Sequence, residues 1–171
     1  ALQNLDVTFA IDRAGLVGED GPTHSGNYDL VYLRCIPNMI VMTPSDENET
    51  RKLLTTGFFH NGPASIRYPR GSGPNVVVEN DLSPVEIGKG RLIKEGSKNL
   101  IVINFGALLD QAEEVADTLG LTLIDMRFVK PLDEDILRKY LSEAQAFVSI
   151  EDGSVAGGAG SAVQEFCSDN N

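Results

Sequence analysis

Short apolar runs separated by amphipathic segments recur along the chain. Val7 to Ile11 (VTFAI) and Leu100 to Asn104 read as buried strands, and Met39 to Met42, Ala64 to Tyr68, Leu121 to Met126 and Ala146 to Ile150 as further strands. Between them the apolar spacing lengthens to that of helices. Tyr28 to Arg34 reads as a short helix with Asn27 as its N-cap. Glu47 to Phe59 reads as a helix capped by Ser45 or Asp46. Its pattern predicts Leu53, Leu54 and Phe58 inward, with Glu47, Glu49, Arg51 and Lys52 facing water. Gly106 opens a third helix with Leu108, Ala112, Val115, Ala116 and Leu119 on its apolar face, ended by Gly120. Pro131 and Asp133 start a fourth, with Ile136, Leu137, Tyr140 and Leu141 inward, and Ser161 to Cys167 forms a fifth. Val85 to Lys94, interrupted by Gly88 and Gly90, reads as a strand pair or one bent strand. Strands that alternate with helices pair in parallel, because the helices serve as crossovers. The fold class expected is therefore α/β, built as three-layer units on parallel sheets.

The segment from Gly71 to Pro84 is rich in proline and lacks either period, so it reads as a linker. This divides the chain into residues 1–71, a linker over 72–84, and residues 85–171. A chain of 171 residues with 42% hydrophobic positions can form one ordinary domain or two small ones with packed cores. The formal net charge of -11 argues against nucleic acid or an anionic membrane surface as partner. It leaves room for a small anionic ligand, which needs only a local pair of arginines. Two cysteines make no disulfide framework and suit a reducing compartment. No apolar run has the length of a bilayer span, and none reads as a signal peptide. The chain enters a strand almost at once and stops directly after a helix, which suggests a piece of a longer polypeptide.

Candidate chemistry concentrates in the loop that follows the first strand. Asp12, Arg13, Glu19, Asp20 and His24 lie there among Gly15, Gly18, Gly21 and Gly26, with Pro22 just before the histidine. Parallel pairing places the carboxyl ends of the Val7–Ile11 and Ala64–Tyr68 strands on one sheet edge. The loops bearing Arg13 and Arg70 then share a rim, where two guanidinium groups can grip a phosphate or carboxylate. The plain alternative is that Arg70 only pairs with a nearby acid. A second glycine-rich turn, Gly153 to Gly160, follows a strand and precedes a helix, yet it lacks the context of a dinucleotide fingerprint. Tight helix-on-strand packing is the favoured reading there, with a site or interface role open for Glu151 and Asp152.

These residues also carry a resemblance. GEDGPTH (Gly18 to His24) resembles the loop of transketolase-type thiamine diphosphate enzymes. AIDRAGLVGEDGPTHSG, then YDLVYLRCIPNMIVMTPSDENE, then IRYPRG, then DMRFVKPLD together resemble the 1-deoxy-D-xylulose-5-phosphate synthase family. The resemblance implies that residues 1–71 are part of a pyrimidine-binding domain and 85–171 most of a transketolase C-terminal-like domain. It implies a transferase that condenses pyruvate with D-glyceraldehyde 3-phosphate with loss of CO₂, feeding isoprenoid, thiamine and pyridoxal precursors. Thiamine diphosphate and Mg²⁺ would be the cofactors, held largely outside this chain, in a homodimeric parent of the bacterial cytoplasm or plastid stroma. Arg13 and Arg70 are then expected to bind the acceptor phosphate. Asp20 and His24 would contact its hydroxyl and carbonyl groups, with His24 as the catalytic residue. A transketolase fragment acting on sugar phosphates and a non-catalytic α/β docking module are the alternatives.

Overall fold

A computed structural model describes residues 1–97 and 99–170. Five helices and four parallel strand pairings repeat the alternation read from the sequence, arranged as two sheets. In the first, β1 (Thr8–Ile11), β3 (Ala64–Arg67) and β2 (Ile40–Met42) pair in parallel in that spatial order. In the second, β6 (Thr122–Asp125), β5 (Leu100–Phe105) and β8 (Ala146–Glu151) do the same. Each sheet also carries an antiparallel edge. β4 (Arg91–Lys94) borders β6, and β7 (Phe128–Lys130) leaves the second half of the chain to border β2 in the first sheet. The helices are α1 (Asp29–Arg34), α2 (Glu47–Phe59), α3 (Leu109–Leu119), α4 (Glu134–Leu141) and α5 (Ala159–Asn170).

Several sequence expectations are corrected. Only Arg91–Lys94 of the segment from Val85 to Lys94 is a strand. β7 was not expected, because Phe128, Val129 and Lys130 are too few to show a period of their own. Tyr28, not Asn27, precedes α1; the Asn27 amide donates instead to Ser25 Oγ at 2.8 Å. β1 was read as buried, yet Val7 and Phe9 are exposed, since β1 is the outer strand of its sheet. On α2, Leu53 is fully buried but Leu54 and Phe58 are exposed. Val115 and Leu119 of α3 are half-exposed as well; Leu109, Ala112 and Ala116 make its buried face.

Glu49 is the most instructive departure. It was assigned to water and is 2% exposed. Asp46 caps α2 by accepting from the Glu49 N–H at 2.8 Å, which sets the helix so that the Glu49 side chain turns inward. There the Arg127 guanidinium grips it in a fork, Nε to Oε2 at 2.7 Å and Nη2 to Oε1 at 2.8 Å. Arg127 sits between β6 and β7, at a left-handed φ of 59°, where the chain crosses from one sheet to the other. Arg91 adds to the cluster by donating to Asp125 Oδ2 and Ser45 Oγ, each at 3.0 Å.

Apolar packing joins the two halves beneath these pairs. Leu30, Leu33, Met39 and Val41 share one core with Phe105, Ile124, Met126, Val129, Leu137 and Phe166. Each side chain of this size contributes about 2 kcal/mol when fully buried. The residues over 72–84 form no regular element but follow α2, with Lys52 between Glu79 and Asp81 at 3.1 and 3.2 Å.

Removing one partner of a buried pair strands the other's charge. Glu49→Ala is expected to lower unfolding stability by about 3 kcal/mol, read from urea denaturation. A loss below about 0.5 kcal/mol would show that the Glu49–Arg127 fork does not hold the crossing in place.

Candidate functional site

The loop after β1 is built from tight turns. Gly18–Asp20 and Pro22–His24 are consecutive 3-10 turns, and the Gly21 N–H donates to Gly18 O at 3.1 Å. Gly21, between them, has φ of 73°, which a side chain would oppose. Gly15 and Gly26 close the base by exchanging N–H to carbonyl bonds at 3.1 and 2.9 Å. A Cβ on Gly26 would overlap the Arg13 carbonyl, so this closure needs glycine.

Parallel pairing then does what the sequence reading requires of it. Tyr68 donates to Ile11 O at 3.0 Å, and Ala14 donates to Tyr68 O at 3.1 Å. The segment that carries Arg13 and the one that carries Arg70 therefore leave the sheet side by side. Arg13 itself holds φ of 62°, an uncommon conformation for any residue but glycine and one found at sites that over-determine it.

The two arginines meet over Asp20. Arg13 Nε donates to Asp20 Oδ2 at 2.9 Å, and Arg70 Nη1 lies 3.5 Å from the same oxygen. Arg13 also pairs with Asp12, and Arg70 reaches Glu19 at 3.3 Å. The Asp20 carboxyl is held below its ordinary pKa, first by the hydrogen bond from Arg13 and further by the charges of Arg70 and His24. His24 is exposed at the end of the second turn, with Nδ1 3.0 Å from Thr23 Oγ1. Arg13, Asp20 and Arg70 thus form one cluster, and His24 stands close enough to act on Asp20 but is hydrogen-bonded elsewhere.

A cleft of about 560 Å³ opens beside them, lined by Ala14, Leu16, Glu19, Pro69, Arg70 and Asp152 among others. Glu19 and Asp152 were not singled out as ligands. Glu19's place in the candidate loop and Asp152's at the carboxyl end of a strand were the signals for them.

Arg67 serves the fold beneath this loop. It is buried, with Nε on Asp29 Oδ2 at 2.8 Å and Nη2 on Gly26 O at 2.7 Å and on the Asp152 carbonyl. One side chain thereby ties α1, the loop base and the end of β8 together. At the second glycine-rich turn, Glu151 accepts from the Ala159 and Gly160 N–H groups at 2.7 and 2.9 Å. The start of α5, where a dinucleotide phosphate would lie, is filled by the chain's own carboxylate. Cβ atoms on Gly158 and Gly160 would overlap Ser154 O and Ser149 Oγ, so these glycines serve close packing.

Two family models match this chain: "Transketolase, pyrimidine binding domain" over residues 1–75 and "Transketolase, C-terminal domain" over 88–171. The chain belongs to the transketolase family. Within that family it is 58% identical over 171 residues to 1-deoxy-D-xylulose-5-phosphate synthase of Pseudomonas fluorescens (strain SBW25). It is 60% identical over 166 residues to the synthase of Pseudomonas syringae pv. tomato. These matches take in 100% and 97% of this chain but only 27% and 26% of the relatives. Among solved structures, a split gene transketolase described as an inactive beta4 tetramer superposes with a TM-score of 0.87 at 32% identity. That match covers 99% of this chain and 56% of the other. The resemblance carried by the four motif blocks therefore extends along the whole transketolase-family chain.

The lowered pKa of Asp20 makes the stability of this loop depend on pH. A carboxylate whose folded value is depressed contributes stability above its unfolded pKa and loses it as pH falls through the folded value. Followed by carbon NMR of the Asp20 carboxyl, titration is expected below the ordinary aspartate range, with Arg13→Ala moving it back up. An unchanged midpoint in Arg13→Ala would show that Arg13 does not hold Asp20.

Proposed function

We propose that this chain carries the acceptor-binding part of a 1-deoxy-D-xylulose-5-phosphate synthase. The observation that carries the reading is the convergence of Arg13 and Arg70 on one shared anion, the Asp20 carboxylate. Solvent screening weakens ion pairs of this kind, so the internal carboxylate is a weak occupant. A phosphate offers more acceptor oxygens to the same two planar donor sets and can displace it. The identity of 58 to 60% with the synthases favours this reading over a transketolase acting on sugar phosphates.

In this reading residues 1–71 are part of a pyrimidine-binding domain, 72–84 a linker and 85–171 most of a C-terminal domain. The acceptor is D-glyceraldehyde 3-phosphate and the donor pyruvate, with CO₂ lost, in the supply of isoprenoid, thiamine and pyridoxal precursors. Arg13 and Arg70 bind the acceptor phosphate. Asp20, released from the arginines, accepts a hydrogen bond from the acceptor hydroxyl. His24, exposed at the end of the turn that follows Asp20, hands a proton to the aldehyde oxygen as that oxygen gains charge. Working near neutral pH, an imidazole can take that proton back from solvent for the next cycle.

The family implies thiamine diphosphate with Mg²⁺, and thiamine diphosphate would supply the electron sink for decarboxylation. Among the described residues no group of three or more His, Cys, Asp and Glu side chains is placed to hold a metal ion. We derive no step through that group. A homodimeric parent in the bacterial cytoplasm or a plastid stroma completes the proposal. Among the described residues no helix is long and apolar enough to cross a membrane.

Two measurements test this. In a full-length synthase with this sequence, Arg70→Ala is expected to reduce kcat/KM for glyceraldehyde 3-phosphate by about 2 to 4 kcal/mol of transition-state stabilisation. An equal loss with unphosphorylated glyceraldehyde would contradict a phosphate role. The 171-residue chain alone, given thiamine diphosphate and Mg²⁺, is expected to show no turnover. The related transketolase chain described as an inactive beta4 tetramer supports that expectation. Deoxyxylulose phosphate formed by the purified chain would overturn it.

A further inference from the structure

Asp152 lines the acceptor cleft from the C-terminal half of the chain, together with Arg70 and Glu19. Its position is set from three sides. Its neighbour Glu151 is fixed by capping α5, with bonds of 2.7 and 2.9 Å. Its own carbonyl accepts from the buried Arg67, which is anchored on Asp29 at 2.8 Å. Its carboxylate lies flat over Gly15, at the place where a Cβ would stand. Gly15 has φ of 74°, so both the space and the backbone there are reserved for glycine. Among the described residues no N–H or O–H donates to the Asp152 carboxylate, although the arginines of the same rim are engaged by Asp12, Glu19 and Asp20.

A half-buried carboxylate on a fixed stretch of backbone in a cleft, with acceptor capacity left over, does two things to a ligand anchored by its phosphate. It accepts a hydrogen bond from a neutral hydroxyl, and it repels a second anionic group. We propose that Asp152 is a specificity-determining residue of the acceptor cleft, selecting phosphorylated ligands whose far end is neutral and hydroxylated over those ending in a carboxylate. This inference rests on the reading of Arg13 and Arg70 as the phosphate clamp, and it adds a contribution from the second half of the chain. The backbone of Asp152, pinned through Arg67 and Glu151, also makes the cleft depend on how the two halves are packed.

The test uses the 171-residue chain and three probes: inorganic phosphate, glycerol 3-phosphate and 3-phosphoglycerate. Each is titrated by two-dimensional NMR, and affinities are expressed relative to inorganic phosphate for the same variant. Asp152→Asn keeps the shape and removes the charge. It is expected to improve the relative affinity for 3-phosphoglycerate by about tenfold. Asp152→Ala also removes the acceptor and is expected to lower the relative affinity for glycerol 3-phosphate by about fivefold. Unchanged ratios in both variants, with phosphate binding still weakened by Arg70→Ala, would overturn the role of Asp152 and leave the phosphate clamp standing. Phosphate binding that is absent, or indifferent to Arg70→Ala, would overturn both. The amide spectra of the unliganded variants report whether each keeps the fold.

Discussion

Two like-charged guanidinium groups on one sheet rim must share a counter-charge or separate. Here the counter-charge is Asp20, supplied by a turn of the same loop that carries Arg13. The arrangement holds the cluster together without an external ligand and keeps it weak enough to exchange. Everything proposed for function depends on this balance. A pair buried as deeply as Arg67 and Asp29 could not open for a ligand without a large cost, whereas the half-exposed Arg13, Asp20 and Arg70 can.

The contrast between exposed and buried ion pairs divides labour across the molecule. Arg67 with Asp29, and Arg127 with Glu49, are enclosed and fix backbone segments relative to each other. Arg67 joins the loop base to the end of β8, and Arg127 holds the crossing from the second sheet into the first. The common core of Leu30, Val41, Phe105 and Met126 gives these pairs a rigid setting. The rim can then be loose in its side chains while its backbone is held by Gly15, Gly26 and Tyr68.

Alternation of short apolar runs with longer-period segments was enough to place most strands and helices, because burial of a strand or helix face imposes its period on the residues themselves. The same reasoning failed where burial depends on a distant neighbour. Phe58 and Glu49 have the right spacing for an inward and an outward residue of α2, yet Glu49 is buried because Arg127 waits inside. Val7 and Phe9 read as core and lie exposed because β1 has a partner on one side only. β7 is too short to announce itself, and its pairing with β2 joins residues far apart in the chain.

For the candidate site, the residue types and the strand order in the sequence already put Arg13 and Arg70 on one rim. That follows from right-handed parallel crossovers, which leave little freedom in where strand ends lie. The sequence could not say which acid would stand between them, since Asp12, Glu19, Asp20 and Asp152 are all near enough in chemistry to serve. Only the tertiary structure chose Asp20 for both arginines, Glu19 for Arg70 alone, and a place over Gly15 for Asp152. Local patterns encode which faces are apolar. The pairing of particular charges is decided when separate segments come within a few ångströms, and that distance is a property of the folded chain.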